Sequence, residues 1–291
     1  MHTMKYERRR FLKLASAIGA GFALTSCTNR LLSAHPLRSR PFGLQLYSLR
    51  DDLPKDPREI LKQVASFGYK QVESFEGPKG IFWGMTNFEF KRLMDDLGMK
   101  IVSSHCDIDK NFQQKADEAS AIGMRYLLAP YLGPQKQLDD YKRAAEKFNQ
   151  RGEICRKAGI RFGYHNHDYS FRPVNGVFPQ DIMMQNTDPA LVDFEMDIYW
   201  VVTAGQDPVA WIDKYPNRFK LAHIKDRQKN VPLTEKKNVS VVLGTGEIDF
   251  PAILQRARSI EYLIVEQEAY IGTTPLAAAK DDADYMKRIT M

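Results

Sequence analysis

The chain has little cysteine. Three occur in 291 residues, Cys27, Cys106 and Cys155. That is too few for a disulfide scaffold, and none stands in the CxxC spacing of zinc or thioredoxin-like sites. Long apolar runs are also missing. Beyond residue 30 nothing approaches the about 18 consecutive apolar residues of a membrane span. No GxGxxG follows the first strand-like run, and no GxxxxGK[ST] loop occurs, so the dinucleotide and phosphate-loop fingerprints are absent. No short-period repeat and no second domain is evident. Charge of one sign is modest too. The formal net charge is +6, but Lys5, Arg8, Arg9, Arg10 and Lys13 against Glu7 put +4 of it in residues 1–26. The remaining +2 announces no basic patch on the folded part, so nucleic acid is not an expected partner. What is present is an ordinary globular balance, 43% hydrophobic and 27% charged, which excludes disordered and collagen-like chains. Cys106 and Cys155 are expected as small buried residues, with a mutual disulfide as the alternative in an oxidising compartment.

The N-terminus reads as an address. Arg8-Arg9-Arg10-Phe11-Leu12-Lys13 precedes a short apolar stretch from Leu14 to Leu24, a charged region before a segment too short to remain as a spanning helix. The pattern resembles a twin-arginine export signal, with Glu7 where Ser or Thr is usual. Leu24-Thr25-Ser26-Cys27 resembles a bacterial lipobox, which implies lipidation of Cys27. The expected organisation is an export signal over 1–26, a lipid-anchored tether over 27–40 and one domain over 41–291. The expected location is periplasmic, with the membrane touched only through the lipid anchor.

From Phe42 onward, β-rich runs alternate with helical patterns. Strands are expected at 42–47, 70–75, 100–105, 125–130, 160–167, 191–198, 219–225 and 261–268. Helices are expected near 57–67, 87–97, 111–122, 138–158, 180–186, 207–214, 250–258 and 275–288. Gly68, Gly98, Gly123 and Gly159 each follow a helical pattern, where glycine takes the left-handed terminating position without steric cost. Eight β–α units in about 250 residues predict an α/β fold, a single-domain (β/α)8 TIM barrel; an open doubly wound sheet is the rival.

In such a barrel the active site lies at the C-terminal strand ends. Side chains two apart share a face. His165 and His167 then share one face, as do Asp193, Glu195 and Asp197, His223 and Lys225, and Glu266 and Glu268. Earlier runs add Gln45 with Tyr47, Glu73 and His105. Burying so many ionisable groups without a partner is costly. A divalent cation is the simplest partner, and mixed imidazole and carboxylate donors suit Mn, Zn, Co or Fe better than Ca. Glu195 can alternatively pair with Arg161 or Lys225. Asp168 and Asp226 are placed to orient imidazoles from behind. Trp83 and Trp200 are candidates for a sugar-stacking wall, with core packing as the plainer reading.

The runs Gly43-Leu44-Gln45-Leu46-Tyr47-Ser48-Leu49-Arg50, Tyr164-His165-Asn166-His167-Asp168, His223-Ile224-Lys225-Asp226 and Gly244-Thr245-Gly246-Glu247-Ile248-Asp249-Phe250 together resemble the sugar phosphate isomerase/epimerase group of the xylose-isomerase-like barrel superfamily, over roughly residues 41–290. The resemblance implies one metal held by Asp197, His223 and Glu266. A fourth ligand, Glu in ketohexose epimerases, has no match; His165 stands in its place. It further implies a metal-dependent isomerase or epimerase of a sugar or keto-sugar, working by proton abstraction next to a metal-bound carbonyl. Glu266, His165, His167 and Lys225 are the catalytic candidates. Gln45, Tyr47, Glu73, His105, Glu195, Trp200 and Glu268 are the candidates for substrate contact. The alternatives are a lyase or hydratase of 3-keto-glycosides or inosose-like keto-sugars, and a non-catalytic sugar-binding lipoprotein; a homo-oligomer is compatible with all three. Gly244-Thr245-Gly246 is either an anion-binding turn or only a turn.

Overall fold

The computed structural model describes residues 40–290 apart from residue 236. The expected export signal (1–26), Cys27 and nearly all of the tether lie outside the described residues. Arg40, the last residue of the expected tether, is already tied to the domain. Its backbone N–H donates to Thr290 and its guanidinium to the Ile260 carbonyl.

Eight parallel strands close into a barrel: β1 (Phe42–Gln45), β2 (Gln71–Phe75), β3 (Lys100–His105), β4 (Tyr126–Ala129), β5 (Arg161–His165), β6 (Val192–Asp197), β7 (Phe219–Ile224) and β10 (Tyr262–Val265). A two-stranded hairpin of β8 (Asp226–Arg227) and β9 (Ser240–Val241) lies between the last two. The helices are α1 (Pro57–Phe67), α2 (Asn87–Asp96), α3 (Phe112–Ala121), α4 (Leu138–Ala158), α5 (Pro179–Asn186), α6 (Ile198–Thr203), α7 (Pro208–Lys214), α8 (Phe250–Arg256) and α9 (Pro275–Thr290). Their starts are chemically marked. Asp56 caps α1 ahead of Pro57, and Thr86 with Glu89 forms a capping box on α2, satisfying amides the first turn leaves open. Gly68 and Gly159 end α1 and α4 at φ 105° and 84°, a conformation other residues reach only with strain.

The (β/α)8 expectation therefore holds, and the open-sheet rival does not. Several strand expectations ran too long. The run 42–47 leaves the sheet at Gln45, and Leu46–Leu49 coils into a 3-10 turn. The run 160–167 ends at His165 and 191–198 at Asp197, where α6 starts unforeseen. The run 261–268 ends at Val265. In each case the β-like composition continues into a segment that has no neighbouring strand to pair with.

Side-chain alternation divides the barrel wall into two faces. Leu44, Val72, Leu127, Phe162, Phe194, Met196, Ile224 and Val265 point outward into the core shared with the helices, each large one adding about 1.5–3 kcal/mol of burial. The inward rows are layered. Tyr126, Leu128 and Leu221, with Tyr262 packed on them, plug the N-terminal end. Above that plug the interior is polar. Cys106 and Cys155 are both buried and unpaired, so the disulfide alternative is not realised.

Candidate metal centre

A cavity of about 590 Å³ opens at the C-terminal end of the barrel strands. His105, His165, His167, Glu266 and Glu268 line it, and Tyr47, Phe75 and Tyr131 join them at its mouth. Tyr47 and Tyr131 are 39% and 60% exposed, whereas His165 and Glu266 are buried. The residues gathered here come from strands far apart in sequence, and barrel register sets their heights. Asp197 of β6 pairs with His223 of β7, and the Glu266 amide bonds Ile224 just past the end of β10.

One nitrogen or oxygen from each of His165, Asp197, His223 and Glu266 lies within 4.8 Å of the others, and all four residues are buried. His165 Nε2 is 3.1 Å from His223 Nδ1 and 3.5 Å from Asp197 Oδ2. His223 Nδ1 is 3.3 Å from Glu266 Oε2. Spacings of about 3–4 Å are what four ligands show when each sits about 2.0–2.2 Å from one ion.

His165 Nδ1 lies 3.1 Å from the Pro130 carbonyl, which can only accept, so that nitrogen carries the hydrogen and Nε2 carries a lone pair. His223 Nε2 lies 2.8 Å from Glu73 Oε1. Burial opposes ionisation of Glu73, but His105, His223 and Ser103 overcome it and hold its pKa at about 2. A carboxylate only accepts, so His223 donates from Nε2 and turns a lone pair on Nδ1 toward His165. Two lone pairs at that distance call for a positive charge between them, a proton or a cation. The same pull acts on His223 itself. Burial would lower its basicity, yet the charges of Glu195 and Glu266 raise it well above the ordinary imidazole value.

Asp197 supplies the test of fit. Its Oδ1 accepts the Trp200 amide at 3.2 Å and caps α6. Its Oδ2 is buried without any hydrogen-bond partner. A buried polar atom left open calls for a reason, and among four clustered donor atoms a bound ion is one that fits. Two imidazole nitrogens and two carboxylates, one with an open oxygen, fit a divalent cation of the Mn, Fe, Co or Zn kind.

Other expected site residues stand elsewhere. Gln45, Glu73 and Glu195 are fully buried and do not line the cavity; the same holds for Asp197, His223 and Lys225, so His165 and Glu266 are the two donors of the group that reach it. Glu195 pairs with neither Arg161 nor Lys225; it meets His105 at 2.8 Å and His223 at 3.3 Å. Burial and the nearby Glu73 charge push its pKa well up. Lys225 is completely buried and gripped by Glu268, by Glu266 at 3.2 Å and by Asp197 at 3.7 Å. Burial opposes its charge, but these carboxylates win and raise its pKa. Its ammonium also lies 4.9 Å from the ring centres of Tyr199 and Trp200. Trp200 does not line the cavity; it stacks on His167, centroids 5.3 Å apart. Burial first, then the neighbouring His165 ring and the Lys225 charge, lower the His167 pKa to about 2, so its ring is neutral.

Two open readings close on their plainer alternative, core for Trp83 and a turn for Gly244-Thr245-Gly246, and the role expected of Asp168 and Asp226 is corrected. Trp83 is 3% exposed within the outer core and donates to Ser74 Oγ, so it forms no cavity wall. Asp168 pairs with Arg172, and Asp226 is the hub of a turn, so neither orients an imidazole. The Gly244-Thr245-Gly246 amides are taken as well: Asp226 Oδ2 accepts Gly244 and Gly246, each at 2.9 Å. An internal carboxylate fills the position an anion would need. Sequence reasoning missed Ser103 and the Pro130 carbonyl. A serine on an inward row beside a glutamate was the available signal for the first; a backbone carbonyl gives none.

A family model described as a xylose isomerase-like TIM barrel matches residues 61–289. An inosose dehydratase of Geobacillus kaustophilus is 26% identical over 273 residues, 79% of this chain and 86% of that protein. One from Clostridium tetani is 30% identical over 144 residues, 45% of this chain and 48% of that protein; here the chain spans about half the length of the curated relative it matches. Among solved structures, a sugar phosphate isomerase/epimerase from Parabacteroides distasonis superposes with a TM-score of 0.72 at 33% identity, covering 85% of this chain and 93% of that one.

Proposed function

The chain belongs to the xylose isomerase-like TIM barrel family, and from that membership and the site's geometry we propose a divalent-cation-dependent lyase that removes water from a polyhydroxylated ketone, a keto-sugar or an inosose-like ring. The observation that carries the reading is the open Asp197 Oδ2, buried beside one nitrogen each of His165 and His223 and a Glu266 oxygen, all within 4.8 Å of one another. His165, Asp197, His223 and Glu266 would hold the cation. Bound there, it would withdraw electron density from a ketone oxygen and acidify the neighbouring C–H. Glu268 lines the cavity, stands outside the donor set and is gripped by Lys225. In this reading it takes the α-proton at a carboxylate oxygen. The C=C bond forms as the β C–O bond breaks, and the same proton leaves with the hydroxyl as water. The neutral His167, clamped by Trp200, orients a substrate hydroxyl. Tyr47 and Tyr131 flank the sugar at the mouth.

Loss of water is favoured over isomerisation by the curated relatives, which are named inosose dehydratases. The names of the Parabacteroides structures favour the second reading, an isomerase or epimerase. The two share the first proton transfer and part at the second, where an isomerase returns the proton to carbon. Incubating the full chain with keto-sugars and inososes in D₂O separates them. A product lighter by one water supports the lyase, and an isomeric product heavier only by the deuterium it has taken up supports the isomerase. Glu268→Gln should lower turnover by about 10²–10⁴-fold with cation binding retained; unchanged turnover would remove Glu268 from the chemistry. The Arg8–Lys13 pattern and Cys27 support an exported, lipid-anchored enzyme, which cell fractionation of wild type beside Cys27→Ser tests.

A further inference from the structure

We infer that Glu73, held in place by Gln45, is a positioning residue that selects the nitrogen His223 presents to the cation: Nδ1, with Nε2 kept as an N–H. The inference rests on the cation site proposed above. It is built from a chain of bonds that begins at the backbone. The Tyr47 amide donates to Gln45 Oε1 at 3.0 Å. A backbone N–H can only donate, so this bond fixes which end of the Gln45 amide faces which way. Gln45 Nε2 then points at Glu73 Oε1 and donates to it at 2.7 Å. Glu73 Oε1 is therefore an acceptor. His223 Nε2 lies 2.8 Å from that same oxygen; with Glu73 as a carboxylate, which only accepts, Nε2 donates to it. The lone pair of the ring falls on Nδ1, facing His165 Nε2 at 3.1 Å and Glu266 Oε2 at 3.3 Å.

Two features make the chain rigid. Gln45 and Glu73 are direct register partners on β1 and β2, so sheet pairing holds them side by side. Gln45, Glu73, Ser103 and His223 are each 0% exposed, and no water competes for these bonds. Ser103 Oγ occupies the other Glu73 oxygen at 2.5 Å.

The opposite choice has a definite geometry. Glu73, His105, Glu195 and His223 form a lower donor group, also within 4.8 Å of one another. If His223 gave its lone pair through Nε2, a cation would sit in that lower group. Glu73 Oε1 would then lose the His223 N–H and keep Gln45, with His105 Nε2 3.2 Å away. The bonds on Glu73 thus favour the upper position. They turn two residues that look like substrate contacts in the sequence into the support of a ligand, as carboxylates behind metal-bound imidazoles commonly are.

The test uses the full chain, labelled with 15N in histidine and titrated with Zn²⁺, a diamagnetic probe. Long-range 1H–15N spectra report which ring nitrogen carries hydrogen and which carries metal. The expected result is hydrogen on His223 Nε2 and zinc on Nδ1. In Glu73→Gln the zinc dissociation constant should rise by about 10–100-fold, with His223 present in both tautomers. Zinc on Nε2 in the wild type would overturn the inference alone. So would a Glu73→Gln protein with unchanged affinity and an unchanged His223 spectrum. Failure of the wild type to bind zinc would overturn this inference together with the proposed cation site. The wild-type spectrum decides the assignment even if the variant does not fold.

Discussion

Asp193 and Asp197 stand four residues apart on one strand, on the same inward face, and have opposite fates. Asp193 lies at the closed N-terminal end of the barrel. Its Oδ2 accepts the Arg161 guanidinium at 2.6 Å and the Tyr126 hydroxyl at 3.1 Å. Asp197 lies near the open end, and its Oδ2 accepts nothing from the protein. The residue type, strand and face are common to both, so none of these makes a functional carboxylate. The difference is the company. At one end the fold supplies a cation of its own, Arg161, and a tyrosine. At the other it supplies two imidazoles, a second carboxylate and the Lys225 ammonium, which pairs with Asp197 Oδ2 only at 3.7 Å, beyond hydrogen-bond reach. A satisfied carboxylate stabilises a barrel; an open one can hold a ligand.

The strongest way to break this comparison is Asp197→Asn. Cation affinity, measured by calorimetry, should fall by about 100-fold or more, beyond the 10–100-fold typical of partners one step removed from a metal. Wild-type affinity in that variant would make both ends of the barrel merely structural. Asp193→Asn is the matching control. It should leave cation affinity unchanged and cost stability instead. Arg161 is partly exposed, so the expected loss is about 1–2 kcal/mol, a fall of roughly 2–8 °C in melting temperature. A change in cation affinity there would show that the two ends are coupled.

Asp282 sharpens the comparison with an intermediate case. It is buried on α9 and accepts a single bond, from the Leu243 amide at 2.7 Å. Burial raises its pKa from the ordinary 3.8 to about 8. A raised folded pKa means the folded state retains a proton that the unfolded chain has already lost. The contribution to stability is therefore full below 3.8 and is lost as pH rises toward about 8. Asp282→Asn keeps the acceptor and removes the titration. It should melt higher than wild type near pH 8, by about 10 °C if the whole of that shift is realised, and alike near pH 4. Equal melting at both pH values would show that Asp282 is not strained by its charge.

Much of this arrangement was legible in the sequence. The period-two rows Asp193-Glu195-Asp197, His223-Lys225 and Glu266-Glu268 marked the inward face, because a strand flanked by helices leaves no other place for charge. Two limits had physical causes. The sequence of β6 runs smoothly into Ile198–Thr203, whose apolar residues suit strand and helix alike; Asp197 as a cap turned them into a helix. The β8–β9 hairpin was also missed, since each of its strands is two residues long. At the site, a side chain on the right face did not reveal its height. Gln45, Glu73 and Glu195 share the inward face with His165 and Glu266 but do not line the cavity, and neither do Asp197 and His223.

The sequence by itself determined the alternation of strand and helix, the direction each strand residue faces and the chemical types available inside the barrel. These follow from short-range rules of period, capping and backbone freedom. Tertiary structure alone decided which inward carboxylate found Arg161, which stayed open and which nitrogen of His223 is free. Those outcomes depend on register between strands and on distances between residues up to 150 positions apart, as His223 and Glu73 are. No local pattern carries that information, because hydrogen bonds act over about 3 Å and the partners meet only when the barrel closes.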